Sequence, residues 1–169
     1  MPLTNLLSLA TFLLLTQPQS IVSLNSQLQA TQYSIADYVG TWVAHTPKGD
    51  FKLILTERKN VRLPNGQIYN IIVGRHFYLD SRNESLSKSE DNFVLVGIPG
   101  LSKTNELPMT FTDEVNHKTA EVNLSFDRDN LQKMHWKVVR ENEAHTIDPA
   151  KKVLLGISVP TDIILERAK

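Results

Sequence analysis

Between residues 120 and 138 the chain spells out its geometry almost residue by residue. Ala120, Val122, Leu124 and Phe126 alternate with Glu121, Asn123 and Ser125; after a polar turn over 127–130, Met134, Trp136 and Val138 alternate with Lys133, His135 and Lys137. A period of two is that of a β-strand, whose successive side chains point to opposite faces. The two segments are therefore expected to form a hairpin with one apolar and one polar side. A sheet of that kind must bury its apolar face, either against a second sheet or by rolling up on itself.

Other stretches follow the same grammar. Segments 38–45 and 50–56 read as strands around the turn Thr46-Pro47-Lys48-Gly49, with Phe51, Leu53 and Leu55 on one face and Lys52 and Thr56 on the other. Pro64-Asn65-Gly66 is the sharpest turn signal, because Asn-Gly tolerates the positive φ that tight hairpins demand. It separates a short piece at 60–63 from a long strand over 67–78, where Gly74 marks a place for a bulge or bend. The serine-rich, charged stretch 81–91 reads as an exposed loop, 93–96 as a short strand and 97–107 as a second loop. A final strand over 161–167 follows a break at Pro160, with Ile163 and Leu165 on one side. No amphipathic helix longer than two turns is visible after Asp37, and no fixed repeat. The expected fold is all-β: an antiparallel barrel, or a half-open barrel or sandwich, of about eight strands, architectures that hide sheet edges.

Charge and cysteine usage bound the function. Lys+Arg and Asp+Glu both number 18 and are scattered, which points away from nucleic acid and from an anionic membrane surface. With no cysteine there is no disulfide framework, thiolate nucleophile or cysteine-based zinc site. The apolar run 6–15 has the length of a signal-peptide core and about half that of a membrane span. Residues 1–20 are accordingly read as a signal peptide whose cut could lie as far on as 30, residues 21–36 as a linker or short helix, and 37–169 as one β domain. The expected location is secreted or periplasmic, with no membrane span.

Gly40-Thr41-Trp42, at the head of the first strand, resembles the Gly-X-Trp signature of lipocalin-type barrels. In that family the Trp packs across the closed end and an Arg near the last strand stacks upon it; Arg167 matches in kind and place. The opening Tyr38-Val39-Gly40-Thr41-Trp42, the ending Pro160-Thr161-Asp162-Ile163-Ile164-Leu165, the leader and the linker are together similar to a family of small secreted bacterial proteins of unknown function. That resemblance implies a lipocalin-like barrel and brings no activity. One departure is the stretch 141–152, broken by Pro149, where lipocalins carry a helix packed on the barrel.

Candidate chemistry is thin. His45, His76, His117, His135 and His145 invite a metal site, but no His-x-His or His-Glu-x-x-His spacing exists, so no metal and no cofactor is expected. Asp127-Arg128-Asp129-Asn130 lacks the glycine and distal glutamate of an EF-hand loop. There is no Gly-x-Ser-x-Gly elbow, and Asp113-Glu114 reads as a solvated turn, so no catalytic residue is assigned and no enzyme is expected. Asn83 and Asn123 fit the glycosylation sequon, Asn123 in mid-strand being a poor acceptor. Two functions remain: a secreted barrel holding a small hydrophobic molecule between its sheets, or a structural or protein-interaction domain of the cell envelope whose interior is filled by side chains such as Phe51, Phe77, Phe111, Phe126, Trp42 and Trp136 and whose loops meet a protein partner.

Overall fold

A computed structural model describes residues 33–89, 94–99, 106–127, 130–142 and 155–169. Among these residues a short helix, α1 (Ile35–Tyr38), precedes nine strands: β1 (Gly40–Thr46), β2 (Gly49–Arg62), β3 (Ile68–Leu79), β4 (Ser85–Lys88), β5 (Leu95–Gly97), β6 (Glu106–Asp113), β7 (Lys118–Asp127), β8 (Asn130–Glu141) and β9 (Asp162–Arg167). All pairings are antiparallel. The sheet closes because β1 pairs with both β2 and β9 while β2 also pairs with β3, giving an eight-stranded up-and-down barrel of lipocalin-like type with β4 as one extra strand beside β3.

Strand directions place the turns β1–β2, β3–β4 and β6–β7 and the segment 155–161 at one end, the mouth. Helix α1, the β2–β3 hairpin and the β7–β8 turn lie at the other, the base. The β2–β3 hairpin overhangs the base, since β1 accompanies β2 only as far as Gly40↔Leu55 while β2–β3 pairing continues to Arg62↔Ile68.

Inward positions carry the expected apolar alternation. Phe51, Leu53 and Leu55 of β2, Leu124 of β7 and Met134 and Trp136 of β8 are all essentially solvent-free. Several expectations are corrected. Segment 60–63 is the continuation of β2 past an irregularity between Arg58 and Val61, where Asn60 takes φ 56° and its amide donates to Asn70 Oδ1 at 3.1 Å. Gly74 is no bulge: it pairs regularly with Leu55 and Leu95, and a Cβ there would lie 2.9 Å from the Leu55 side chain, so its smallness lets β2, β3 and β5 close up. The presumed loop 81–91 contains β4, and the presumed loop 97–107 gives its first residue to β5 and its last two to β6. Strand β6 escaped notice because it contains Pro108, a residue without a ladder donor, and because its inward row of Leu107, Met109 and Phe111 ends in a carboxylate, Asp113. Far from being solvated, Asp113 is 1% exposed.

The leader, most of the linker, Phe93, the turn residues 128–129, His145, Pro149 and Leu154 lie outside the described residues.

Candidate functional site at the barrel mouth

The base is sealed by the signature residues. Arg167 lies over the Trp42 ring, its guanidinium carbon 4.2 Å from the centroid, and donates to the carbonyls of Val39 (2.8 Å) and Asp37. The Trp42 indole donates to the Tyr38 carbonyl at 2.9 Å. Gly40 sits at φ +140°, and a Cβ there would come within 2.8 Å of the Arg167 guanidinium, so glycine, tryptophan and arginine form one plug. Phe126 reaches this plug from β7, 5.8 Å from Trp42, and Tyr33 and Tyr38 pack on it at 4.8 and 4.7 Å.

Above the plug the bore is crossed by a closed cycle of four rings. Phe51 meets Trp136 at 5.3 Å, Trp136 meets Phe111 at 5.9 Å, Phe111 meets His76 at 5.4 Å and His76 returns to Phe51 at 6.0 Å. These residues come from β2, β8, β6 and β3, strands spread around the circumference. Rings in contact from opposite walls occupy the middle of an eight-stranded barrel.

The mouth is polar below and apolar above. His76 Nε2 lies 2.8 Å from Ser87 Oγ, Ser87 Oγ 2.9 Å from Ser158 Oγ, and the Ser158 hydroxyl donates to Asp113 Oδ1 at 2.8 Å. Asp113 also accepts the amides of Ser158, Val115 and Asn116. The carboxylate sets the polarity of this chain, since a hydroxyl has one proton to give. Ser158 spends its proton on Asp113 and must accept from Ser87. Ser87 must then accept from the imidazole. His76 is therefore the Nε2–H tautomer, and among the described residues its buried Nδ1 has no hydrogen-bond partner. Burial lowers its pKa from 6.5 to about 4, only partly opposed by the Asp113 charge.

A serine, a histidine and an aspartate thus converge, though not as a catalytic triad. The carboxylate lies beyond two hydroxyls instead of on Nδ1, and Ser87 is only 3% exposed. Among the described residues, no group of three or more His, Asp or Glu could hold a metal ion. His45 and His135 sit on the outer face, paired with Asp50 and Asp162, each at 2.6 Å. His117 is an exposed turn residue at φ 55°.

Residues 156–160 form a strap across the mouth. Asn116 Nδ2 donates to the Gly156 carbonyl (3.0 Å), Ser158 is held by Asp113 and Ser87, and the Trp136 indole donates to the Pro160 carbonyl at 2.7 Å. Between strap, β1–β2 turn and β4 runs a cleft of about 590 Å³ whose walls include Pro47, Tyr78, Leu86, Ile157, Val159 and Ile163. Lys48 stands on its rim, and no carboxylate is among its described lining residues. A larger groove of about 750 Å³ lies on the outer face of β1, β9, β8 and β7. Two pairs of charges meet along it, Lys133 with Glu166 at 3.3 Å and His135 with Asp162. No signal in the sequence joined His76, Ser87, Asp113 and Ser158, which are drawn from three strands and the strap.

No family model, curated protein or solved structure matches the chain.

Proposed function

We propose that this protein is a non-catalytic binding domain that works outside the cytosol and engages a protein partner at the mouth of the barrel. The observation that carries this reading is the four-ring cycle: the bore that would hold a small ligand is occupied by Phe51, Trp136, Phe111 and His76, while the cleft above them is open and apolar. Pockets for small molecules enclose most of their ligand's surface. An open cleft with Leu86 41% exposed on its wall suits instead an anchoring side chain from an extended partner segment, and Lys48 on the rim favours an acidic neighbour to that anchor. Export is supported by the apolar run 6–15, which has the length of a signal-peptide core.

Peptide-display selection tests this reading, run in parallel on the wild-type barrel and on Leu86→Glu. Selected peptides should carry an aromatic or aliphatic anchor beside Asp or Glu and should bind the variant at least tenfold more weakly. Dye displacement with fatty acids should be silent. Saturable one-to-one fatty-acid binding that survives Leu86→Glu, or peptides indifferent to that substitution, would overturn it.

A further inference from the structure

The cleft is walled on one side by the strap and by Leu86 of β4, and both are tethered through the buried chain from His76 to Asp113. In the Nε2–H tautomer the chain is complete, and every proton in it has an acceptor. A second proton can go only to Nδ1, which is buried and has no acceptor among the described residues. The resulting N–H and its charge would sit against the rings of Phe51 and Phe111. Among the described residues, the groups facing this imidazole offer it little. Phe51 of β2 and Phe111 of β6 lie against its ring, Leu53 is its partner on β2, Ser87 of β4 meets Nε2, Asp113 of β6 acts on it from beyond the two hydroxyls, buried Ser89 is spent on the His76 backbone, and Tyr78 lies on the same face of β3 with its hydroxyl against Thr46. Water can reach Nδ1 only if the cover above it lifts.

We propose that the His76–Ser87–Ser158–Asp113 chain is an acid-released latch, so that protonation of His76 frees β4 and the 156–160 strap and remodels the cleft while the base stays shut. This rests on the mouth being the binding face, but the latch can be observed without any partner. The low proton affinity of the buried imidazole places the release on the acid side of neutrality.

The two tryptophans report on the two ends. The Trp136 indole N–H is held by the strap at Pro160, and that of Trp42 by the base at Tyr38. Hydrogen exchange of both, corrected for intrinsic rate and followed by NMR from pH 7 to pH 3.5 on the full chain, should show Trp136 losing at least tenfold of its protection while Trp42 keeps its own. In His76→Gln, which retains a donor toward Ser87 but does not titrate, Trp136 should stay protected over the same range. Should that variant not fold, Ser158→Ala provides the second arm: with the chain cut, Trp136 should be weakly protected already at pH 7. Loss of protection at both ends together, an unchanged acid response in His76→Gln, or full Trp136 protection in Ser158→Ala would each overturn the latch. An acid-opened strap with no effect on peptide binding would leave the latch standing and remove the reading of the mouth.

Discussion

The two ends of this barrel are closed by opposite chemistry. At the base a cation lies flat on an indole, aromatic rings pack around it, and the indole and guanidinium hydrogens go to the backbone carbonyls of Asp37, Tyr38 and Val39. At the mouth the closure is a relay of side chains from distant parts of the chain, ending in a buried carboxylate and starting in a buried imidazole. The base needs area and shape, which vary little with solution conditions. The mouth needs a particular set of proton positions, so it is conditional.

That contrast can be broken most forcefully at the base. Trp42→Ala should destabilise the protein by about 4 kcal/mol, because a fully buried indole at the centre of the plug is replaced by a cavity. Urea unfolding measures it, and a loss below about 2 kcal/mol would mean that the plug collapses to fill the space. Next comes Asp113→Ala at the mouth, which strands three amides and the Ser158 hydroxyl and should remove about 3 kcal/mol.

A change of pH separates the ends directly. The His76 pKa is about 4 in the fold against 6.5 for an ordinary histidine. Between those values the unfolded chain takes a proton that the folded one refuses. The contribution of this group is therefore whole above pH 6.5, falls as the pH drops, and is gone below 4, a loss of roughly 3 kcal/mol. Urea midpoints at pH 7, 5.5 and 4 should show this slope in the wild type and its absence in His76→Gln. Burial pushes the Tyr38 phenol at the base in the other direction, above its usual range and out of this window. Arg167→Met should cost the base about 1–2 kcal/mol by removing the cation and its donors, equally at pH 7 and pH 5. His45→Ala should leave the melting temperature unchanged, since that pair with Asp50 is exposed on the barrel wall and belongs to neither end.

The same division governs what could be read from the chain. The facing rows of the β7–β8 hairpin were legible because alternation is a local signal, although β7 and β8 run past the expected 120–126 and 133–138, and Gly40, Thr41, Trp42 and Arg167 could be named because a short motif marks the base. Strand β6 was hidden by Pro108, and by an inward Asp113 that periodicity interprets as a turn. β4 was hidden because its single inward side chain, Ser87, is polar. The latch was invisible for a deeper reason. Ser87 and Ser158 are 71 residues apart, and Asp113 and Ser158 are 45 apart, so nothing in their immediate surroundings announces that they touch. Burial of a histidine, likewise, is a property of the assembled barrel and leaves no trace in its neighbours along the chain.

Two strands meet where the barrel seals: β1 and β9 share the register Trp42↔Arg167 and Val43↔Glu166, and the Ala168 amide donates to the Thr41 carbonyl at 2.9 Å. The first strand made by the ribosome therefore waits for the last, and a nascent chain emerging from its N-terminus has no complete cylinder to form until the seam partner has been translated. Long-range closure of this kind is slow to nucleate. Under the export proposed above, delayed sealing would keep the chain pliable while it is translocated.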